Sequence, residues 1–163
     1  MKRVLLALAL LIVVAIAGVW LVGLALPVEH VASQSMWIAA PRDSVWRAIT
    51  GVREFPEWRR NLDSVIVLED ALAWREFGGF GAITFRADEL QPTERFVARI
   101  TDPDLGFGGR WIYTLSDSAG GTTISITEEG EVLNPMFRTI SRFVTGHDAT
   151  MAAFLEDLSA HLR

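Results

Sequence analysis

The chain has 163 residues, no cysteine and a formal net charge of −5. The lack of cysteine excludes disulfides, thiolate metal sites and cysteine nucleophiles. Outside Lys2 and Arg3, 13 basic residues stand against 20 acidic ones, so the surface does not suit a phosphate backbone and no nucleic-acid partner is expected.

The first predicted element is an apolar helix over residues 4–26, which carry no charge. A helix of about 20 residues spans the hydrocarbon core of a bilayer, whereas the apolar part of a cleaved signal peptide has about 7–15 residues. The sequence therefore predicts an N-terminal membrane anchor over residues 1–27 and one domain over residues 28–163. Because Lys2 and Arg3 precede the anchor, the positive-inside rule predicts a single-pass protein with a cytoplasmic N terminus and an extracytoplasmic domain.

Cleavage of the apolar segment is the alternative. Gly23 and Ala25 are small residues at the spacing that signal peptidase recognises, so processing after Ala25 would release the domain. The length of the segment favours the uncleaved anchor.

The domain begins with a predicted strand over residues 29–39, followed by two short helices. Pro41 suits the first turn of a helix, because proline lacks the N–H group that this position leaves unbonded. Apolar residues from Val45 to Ile49 then recur at helical spacing. A second short helix is predicted over residues 55–58.

A run of six strands follows the helices. Apolar and polar residues alternate in most of them, which implies one covered face and one solvated face. The predicted strands cover residues 64–69, 73–77, 82–89, 95–102, 110–116 and 122–132.

The chain ends in a predicted long helix. Asn134 is a good cap, and Pro135 occupies the first helical position. Apolar residues step by three or four from Met136 to Leu162, and Gly146 near the middle could allow a bend. A sheet and a helix with one apolar face each must cover one another. The predicted fold class is therefore α+β, with a curved seven-stranded antiparallel sheet around the C-terminal helix.

This order of elements resembles the START/Bet v 1-like superfamily, also called SRPBCC or polyketide cyclase/dehydrase-like. Residues 38–46 (IAAPRDSVW) resemble its opening strand and helix, and residues 55–58 (FPEW) resemble its second helix. Residues 127–132 with 134–138 (TEEGEV, NPMFR) resemble a subgroup of mostly uncharacterised bacterial members. The resemblance covers residues 31–162. It implies a helix-grip fold whose cavity, between sheet and long helix, takes lipids, sterols, polyketides or other apolar molecules, and it assigns no catalytic residue.

The inward-facing side chains of the sheet and helix are the candidates for lining this cavity, with a filled core as the alternative for each of them. The candidates are Phe85, Phe96, Ile100, Trp111, Tyr113, Ile124, Ile126 and Glu128 from the sheet, and Ile140, Phe143, His147, Met151 and Phe154 from the helix.

Among the helical candidates, His147 interrupts an apolar stripe. It is either a donor or acid/base group in the cavity or a histidine bonded to a backbone carbonyl. One histidine with no second histidine nearby predicts no metal site, and no cofactor is expected.

Two carboxylates are expected to face inward. Glu128 continues the stripe of the last strand, and Glu76 lies beside Trp74. A buried carboxylate is costly without a partner, so the sequence suggests Arg138 and Arg142 as partners for Glu128 or Glu131. The alternatives are a structural ion pair and an acid in the ligand pocket.

The leading functional hypothesis is a membrane-tethered module that binds a small hydrophobic or lipid-like ligand, for transport or for sensing. The first alternative is a cyclase, dehydratase or hydrolase acting on an apolar substrate with His147, Tyr113 or Glu128 as acid/base groups. The second is a structural or interaction domain with a filled core. The sequence predicts neither the ligand's identity nor the oligomeric state.

Overall fold

The apolar segment at the N terminus forms one helix, α1 (Lys2–Ala25), in which Gly23 is the buried residue. The computed structural model describes residues 1–79, 81–146 and 148–163. By length and composition α1 could cross a membrane, with a mean hydropathy of 3.0. It ends because Leu26 precedes Pro27, and the residue before a proline avoids the helical region (φ −80°, ψ 148° at Leu26).

A seven-stranded antiparallel sheet forms the body of the domain, as the sequence predicts. Its strands are β1 (Glu29–Ile38), β2 (Leu62–Val67), β3 (Ala73–Gly78), β4 (Gly81–Gln91), β5 (Arg95–Ile100), β6 (Phe107–Ser118) and β7 (Gly121–Val132). The spatial order is β1-β7-β6-β5-β4-β3-β2, so consecutive strands from β2 to β7 are neighbours and β1 joins the outer side of β7. The N-terminal strand is therefore tied to the C-terminal end of the sheet.

Short helices carry the chain from β1 at one edge of the sheet to β2 at the other. They are α2 (Arg42–Thr50), a 3-10 turn (Val52–Glu54) and α3 (Phe55–Trp58). Val45 and Ile49 of α2 and Phe55 and Trp58 of α3 are buried in the core. This segment covers part of the inward face of the sheet, since the Trp46 ring meets the Phe96 ring edge to face at 6.5 Å.

The C-terminal helix is broken, whereas the sequence predicts one long helix over residues 135–162. Helix α4 (Pro135–Ile140) runs into a π-helical turn (Ser141–Thr145), and α5 (Ala149–His161) follows. Between them Gly146 has φ 74°, a value that glycine adopts without steric cost but that a continuous helix does not contain. The two helices therefore have different neighbours: α4 packs on α1, and α5 packs on β1 and α3.

The core lies between the inward face of the sheet and α5. Ile124, Ile126, Met151, Leu155 and Leu158 are at most 1% exposed. Burying a side chain of this size contributes about 1.5–3 kcal/mol. The part of the predicted apolar stripe that lies in α5 therefore packs in the core.

Candidate functional site

The inward face of the sheet brings the aromatic candidates together. In the strand register Phe96 lies opposite Tyr113 and Tyr113 opposite Ile126, while Trp111 lies opposite Glu128 in a neighbouring row. The Phe96 and Tyr113 rings stack with centroids 5.2 Å apart. We call the space above this face the hollow.

Phe154 of α5 occupies the middle of the hollow. Its ring centroid lies 5.8 Å from that of Trp111, 5.7 Å from that of Tyr113 and 5.3 Å from that of Trp58. The guanidinium carbon of Arg59 lies 5.4 Å from the same centroid. Aromatic pairs of this kind contribute about 0.5–1.5 kcal/mol each beyond their buried area. The centre of the hollow is therefore closed by rings.

One side of the hollow is partly exposed to solvent. Phe96 and Tyr113 are 2% and 6% exposed, but Trp111, Glu128 and His30 are only partly buried. His30 is the second residue of the strand that directly follows α1. We call this region the α1 side of the hollow.

Glu128 on the α1 side is held by donors from both neighbouring strands. Its Oε1 lies 3.0 Å from His30 Nε2, and its Oε2 accepts a hydrogen bond of 2.8 Å from Trp111 Nε1. The Glu128 side chain remains 20% exposed. A carboxylate has about four lone-pair positions, so one can still accept a bond from a donor group of a ligand.

Arg138, one of the arginines that the sequence suggests for Glu128, is not its partner. Its Nη1 donates to the Leu26 carbonyl at 2.9 Å and its Nη2 to the Leu133 carbonyl at 3.3 Å. The prediction was wrong because α4 turns toward α1, away from the strand that carries Glu128.

A second carboxylate, Glu76, lies on the other side of the hollow, beneath α3. Arg59 Nη1 is 2.9 Å from both of its oxygens, and Trp74 Nε1 donates to Oε1 at 3.0 Å. Glu76 is 7% exposed. This α3 side of the hollow is a closed, buried ion pair.

Tyr113 lies between the two carboxylates. Burial raises the pKa of its phenol above the ordinary 10.0; Arg59 acts against this rise, and Glu76 and Glu128 add to it. The phenol is therefore neutral at physiological pH and can donate a hydrogen bond.

The remaining candidates separate into three groups. Ile124, Ile126 and Met151 are buried beside Phe154, and Phe85 and Ile100 are partly buried on the inward face. Ile140 and Phe143 are 37% and 67% exposed and do not line the hollow. His147 lies outside the described residues.

Sequence reasoning missed the two side chains, His30 and Arg59, that pair with the carboxylates. His30 stands at strand period with Ala32 and Gln34, and that alternation is the signal that could have placed it on the inward face. Arg59 follows the short α3 helix and carries no comparable signal.

Two surface recesses lie outside the hollow. One of about 540 Å³ lies between α3 and α5 beside the Arg60–Asp157 ion pair, and one of about 500 Å³ lies along α1. Neither touches Glu128 or His30. Among the described residues, no group of three or more His, Cys, Asp or Glu side chains suits a metal ion.

Solved structures share this arrangement of sheet and helices. The Zhui aromatase/cyclase from Streptomyces sp. R1128 superposes with a TM-score of 0.70 at 15% identity, over 82% of this chain and 93% of that one. A START superfamily protein from Mycobacterium smegmatis gives 0.66 at 13% identity, over 82% and 97%. Norcoclaurine synthase from Thalictrum flavum gives 0.64 at 12% identity, over 82% and 86%. The fold is the helix grip of the START/Bet v 1 superfamily.

The family follows from the sequence of the domain. The family model for polyketide cyclase / dehydrase and lipid transport matches residues 38–155, so the chain belongs to that family. A search of curated proteins finds no match.

Proposed function

We propose that the protein binds a small hydrophobic or lipid-like ligand on the α1 side of the hollow, for transport or sensing, while α1 holds the domain at a membrane. The observation that carries this proposal is the Glu128 carboxylate, which is hydrogen-bonded to His30 and Trp111 and still partly exposed at the edge of an aromatic interior. Ligand sites combine apolar walls with a few placed polar groups.

The two parts of this site have separate roles. The Trp111 ring and its neighbours supply apolar contact area, and Glu128 with His30 supplies the polar anchor for a hydroxyl or amide group of the ligand. An amphiphilic molecule with one polar end fits this division better than a pure hydrocarbon, because a hydrocarbon would cover the exposed part of the Glu128 carboxylate without bonding to it.

The tether places the site where such ligands are concentrated. His30 follows α1 after only a few residues, so a bilayer around α1 lies next to the α1 side of the hollow. Tethering raises the effective concentration of a lipid-dissolved ligand at the site. Lys2 and Arg3 favour a cytoplasmic N terminus and an extracytoplasmic domain.

The packing of α1 supports its retention. Gly23 lies against α4, so α1 has a specific partner in the folded domain. Cleavage after Ala25 would remove that contact.

An enzyme acting on an apolar substrate in the same place is the second candidate. The His30 and Glu128 side chains are within hydrogen-bond distance of each other, and such a pair can move a proton. Turnover of an apolar carbonyl compound that is lost in Glu128→Gln would favour this reading over simple binding.

The test uses the full chain extracted in mild detergent. We expect apolar molecules to copurify with it, as detected by mass spectrometry of an organic extract. We also expect the bound species, added back, to raise the melting temperature, because a ligand that binds the folded form stabilises it. Preparations that carry no apolar molecule and show no shift with a panel of lipids and sterols would contradict the proposal.

A matched pair of variants locates the site. Glu128→Gln removes one charge-assisted hydrogen bond to the ligand, and we expect affinity to fall about tenfold or more. Glu129→Gln changes the neighbouring residue, whose carboxylate binds Arg110 at 2.8 Å, and should leave affinity unchanged. Equal affinities in both variants would move the site away from Glu128.

A further inference from the structure

Helix α4 packs along α1 rather than on the sheet face. A Cβ atom added at Gly23 would lie 1.8 Å from the Pro135 carbonyl oxygen, so the backbones touch at this point. Thr139 Oγ1 donates to the Val19 carbonyl at 2.8 Å. Four residues separate the two contacts on each helix, so α1 and α4 run antiparallel, side by side, over about one turn.

Arg138 fixes where α4 begins relative to the end of α1. The residue is 9% exposed, and its Nη1 donates to the carbonyl of Leu26, the cap of α1. A cation at this position also complements the negative end of the α1 dipole. The direction of α4 is therefore specified: it runs back along α1 from the end that joins the domain.

The side of α4 away from these contacts is apolar and uncovered. The π-helical turn continues it. Phe137, Ile140, Phe143 and Val144 are 53%, 37%, 67% and 78% exposed. Large side chains clustered in this way mark a surface that contacts a partner or a membrane. α1, on which this segment packs, is itself exposed along almost its whole length.

The position of these contacts along α1 indicates how deep α4 would lie in a bilayer. Val19 lies six residues before Ala25, which corresponds to about 9 Å along the helix axis. The 24 residues of α1 extend about 36 Å, against about 30 Å for the hydrocarbon core. If α1 spans a bilayer, Thr139 lies near the boundary of head groups and acyl chains, the depth that interfacial helices reach.

We propose that the exposed apolar side chains of residues 137–144 insert into the lipid bilayer beside α1 and form a second membrane contact of the domain. The inference rests on the proposed membrane tether. The lipid around α1 covers the four apolar side chains, and Gly146 turns the chain back to α5. Two contacts, one transmembrane and one interfacial, restrict the rotation of the domain and hold the α1 side of the hollow at the bilayer surface.

The absence of cysteine allows a direct test with the full chain in phosphatidylcholine liposomes. Single cysteines introduced as Phe143→Cys, Ile12→Cys and Ile66→Cys are labelled with an environment-sensitive fluorophore, and each sample is compared with and without nitroxide-labelled acyl chains. Ile12 in α1 reports the tether. Ile66 is the control, because like Phe143 it is an exposed apolar residue (54% against 67%) but lies on β2, at the opposite edge of the sheet from β1.

We expect the labels at positions 143 and 12 to lose most of their emission to the nitroxide lipid and the label at position 66 to lose almost none. Quenching at position 12 without quenching at position 143 would overturn the inference and leave the tether intact. No quenching at position 12 would overturn the tether itself. A label at position 143 that is shielded from water but not quenched would show a protein cover, such as a second copy of the chain, and would also overturn the inference.

Discussion

The two sides of the hollow use the same pair of groups, an indole and a carboxylate, in different surroundings. On the α3 side Glu76 accepts from Trp74 and Arg59 and is 7% exposed. On the α1 side Glu128 accepts from Trp111, lies against His30 and keeps 20% of its side chain exposed.

This difference suits a structural role for the α3 side and the proposed ligand-binding role for the α1 side. The guanidinium of Arg59 contacts both Glu76 oxygens and leaves little room for another donor, so this pair ties α3 to the sheet. The imidazole of His30 contacts one Glu128 oxygen, so the carboxylate keeps capacity for a further bond. The α3 side is thus a closed ion pair, whereas the α1 side keeps an acceptor for the proposed ligand.

The largest expected effect comes from breaking the buried pair. Arg59→Met leaves the Glu76 carboxylate buried without its cation and should reduce the free energy of unfolding by about 3–5 kcal/mol. Denaturant unfolding followed by tryptophan fluorescence measures the change. Arg99→Met is the control, because its partner Asp88 is on the surface and such pairs contribute about 0–1 kcal/mol. Equal losses of unfolding free energy in the two variants would mean that the Arg59–Glu76 pair contributes no more than a surface ion pair.

The next effect tests the contact between α1 and α4. Gly23→Ala places a methyl group against the Pro135 carbonyl and should cost about 1–3 kcal/mol, seen as a lower melting temperature of the full chain in detergent. Gly18→Ala meets no atom within 4 Å and should be neutral or slightly stabilising, since alanine favours a helix over glycine. Matching melting temperatures would show that α4 does not depend on α1.

The α+β fold and the seven-stranded sheet could be predicted because they follow from local signals. Alternation marked the strands, and Asn134 and Pro135 marked the start of α4, where the Asn134 side chain accepts from the Met136 and Phe137 amides at 2.9 and 3.3 Å. Such signals act within a few residues and survive packing.

The sequence indicated a possible bend at Gly146 but not a complete break of the helix, and it did not indicate the environment of Ile140 and Phe143. An apolar stripe at helical spacing is the same whether it faces a core or a lipid, so these two residues were assigned to the cavity although they are exposed. The partner of Glu128 was missed for a related reason. His30 lies 98 positions earlier, and only the pairing of β1 with β7 brings the two together.

A smaller effect is expected for Glu128→Gln. The variant keeps the shape of the side chain and loses the charge on the partly exposed side, so the free energy of unfolding should fall by about 1 kcal/mol. Glu76→Gln, made in parallel, should cost more, because Arg59 is then left without its anion. Denaturant unfolding measures the loss of unfolding free energy in each variant. A larger loss for Glu128→Gln than for Glu76→Gln would reverse the assignment of the two sides.

The smallest effect concerns Tyr113, the only tyrosine of the chain. Because burial raises its pKa above 10.0, the folded protein should show no tyrosinate absorbance at the pH where the urea-unfolded chain already titrates. The stability that the neutral phenol contributes is complete below the unfolded pKa and is lost as the pH rises from there toward the folded value, since the folded state binds the proton more tightly. Ionisation near pH 10 in the still-folded protein would mean that solvent reaches the phenol. The exposed α1 side of the hollow would then extend as far as Tyr113.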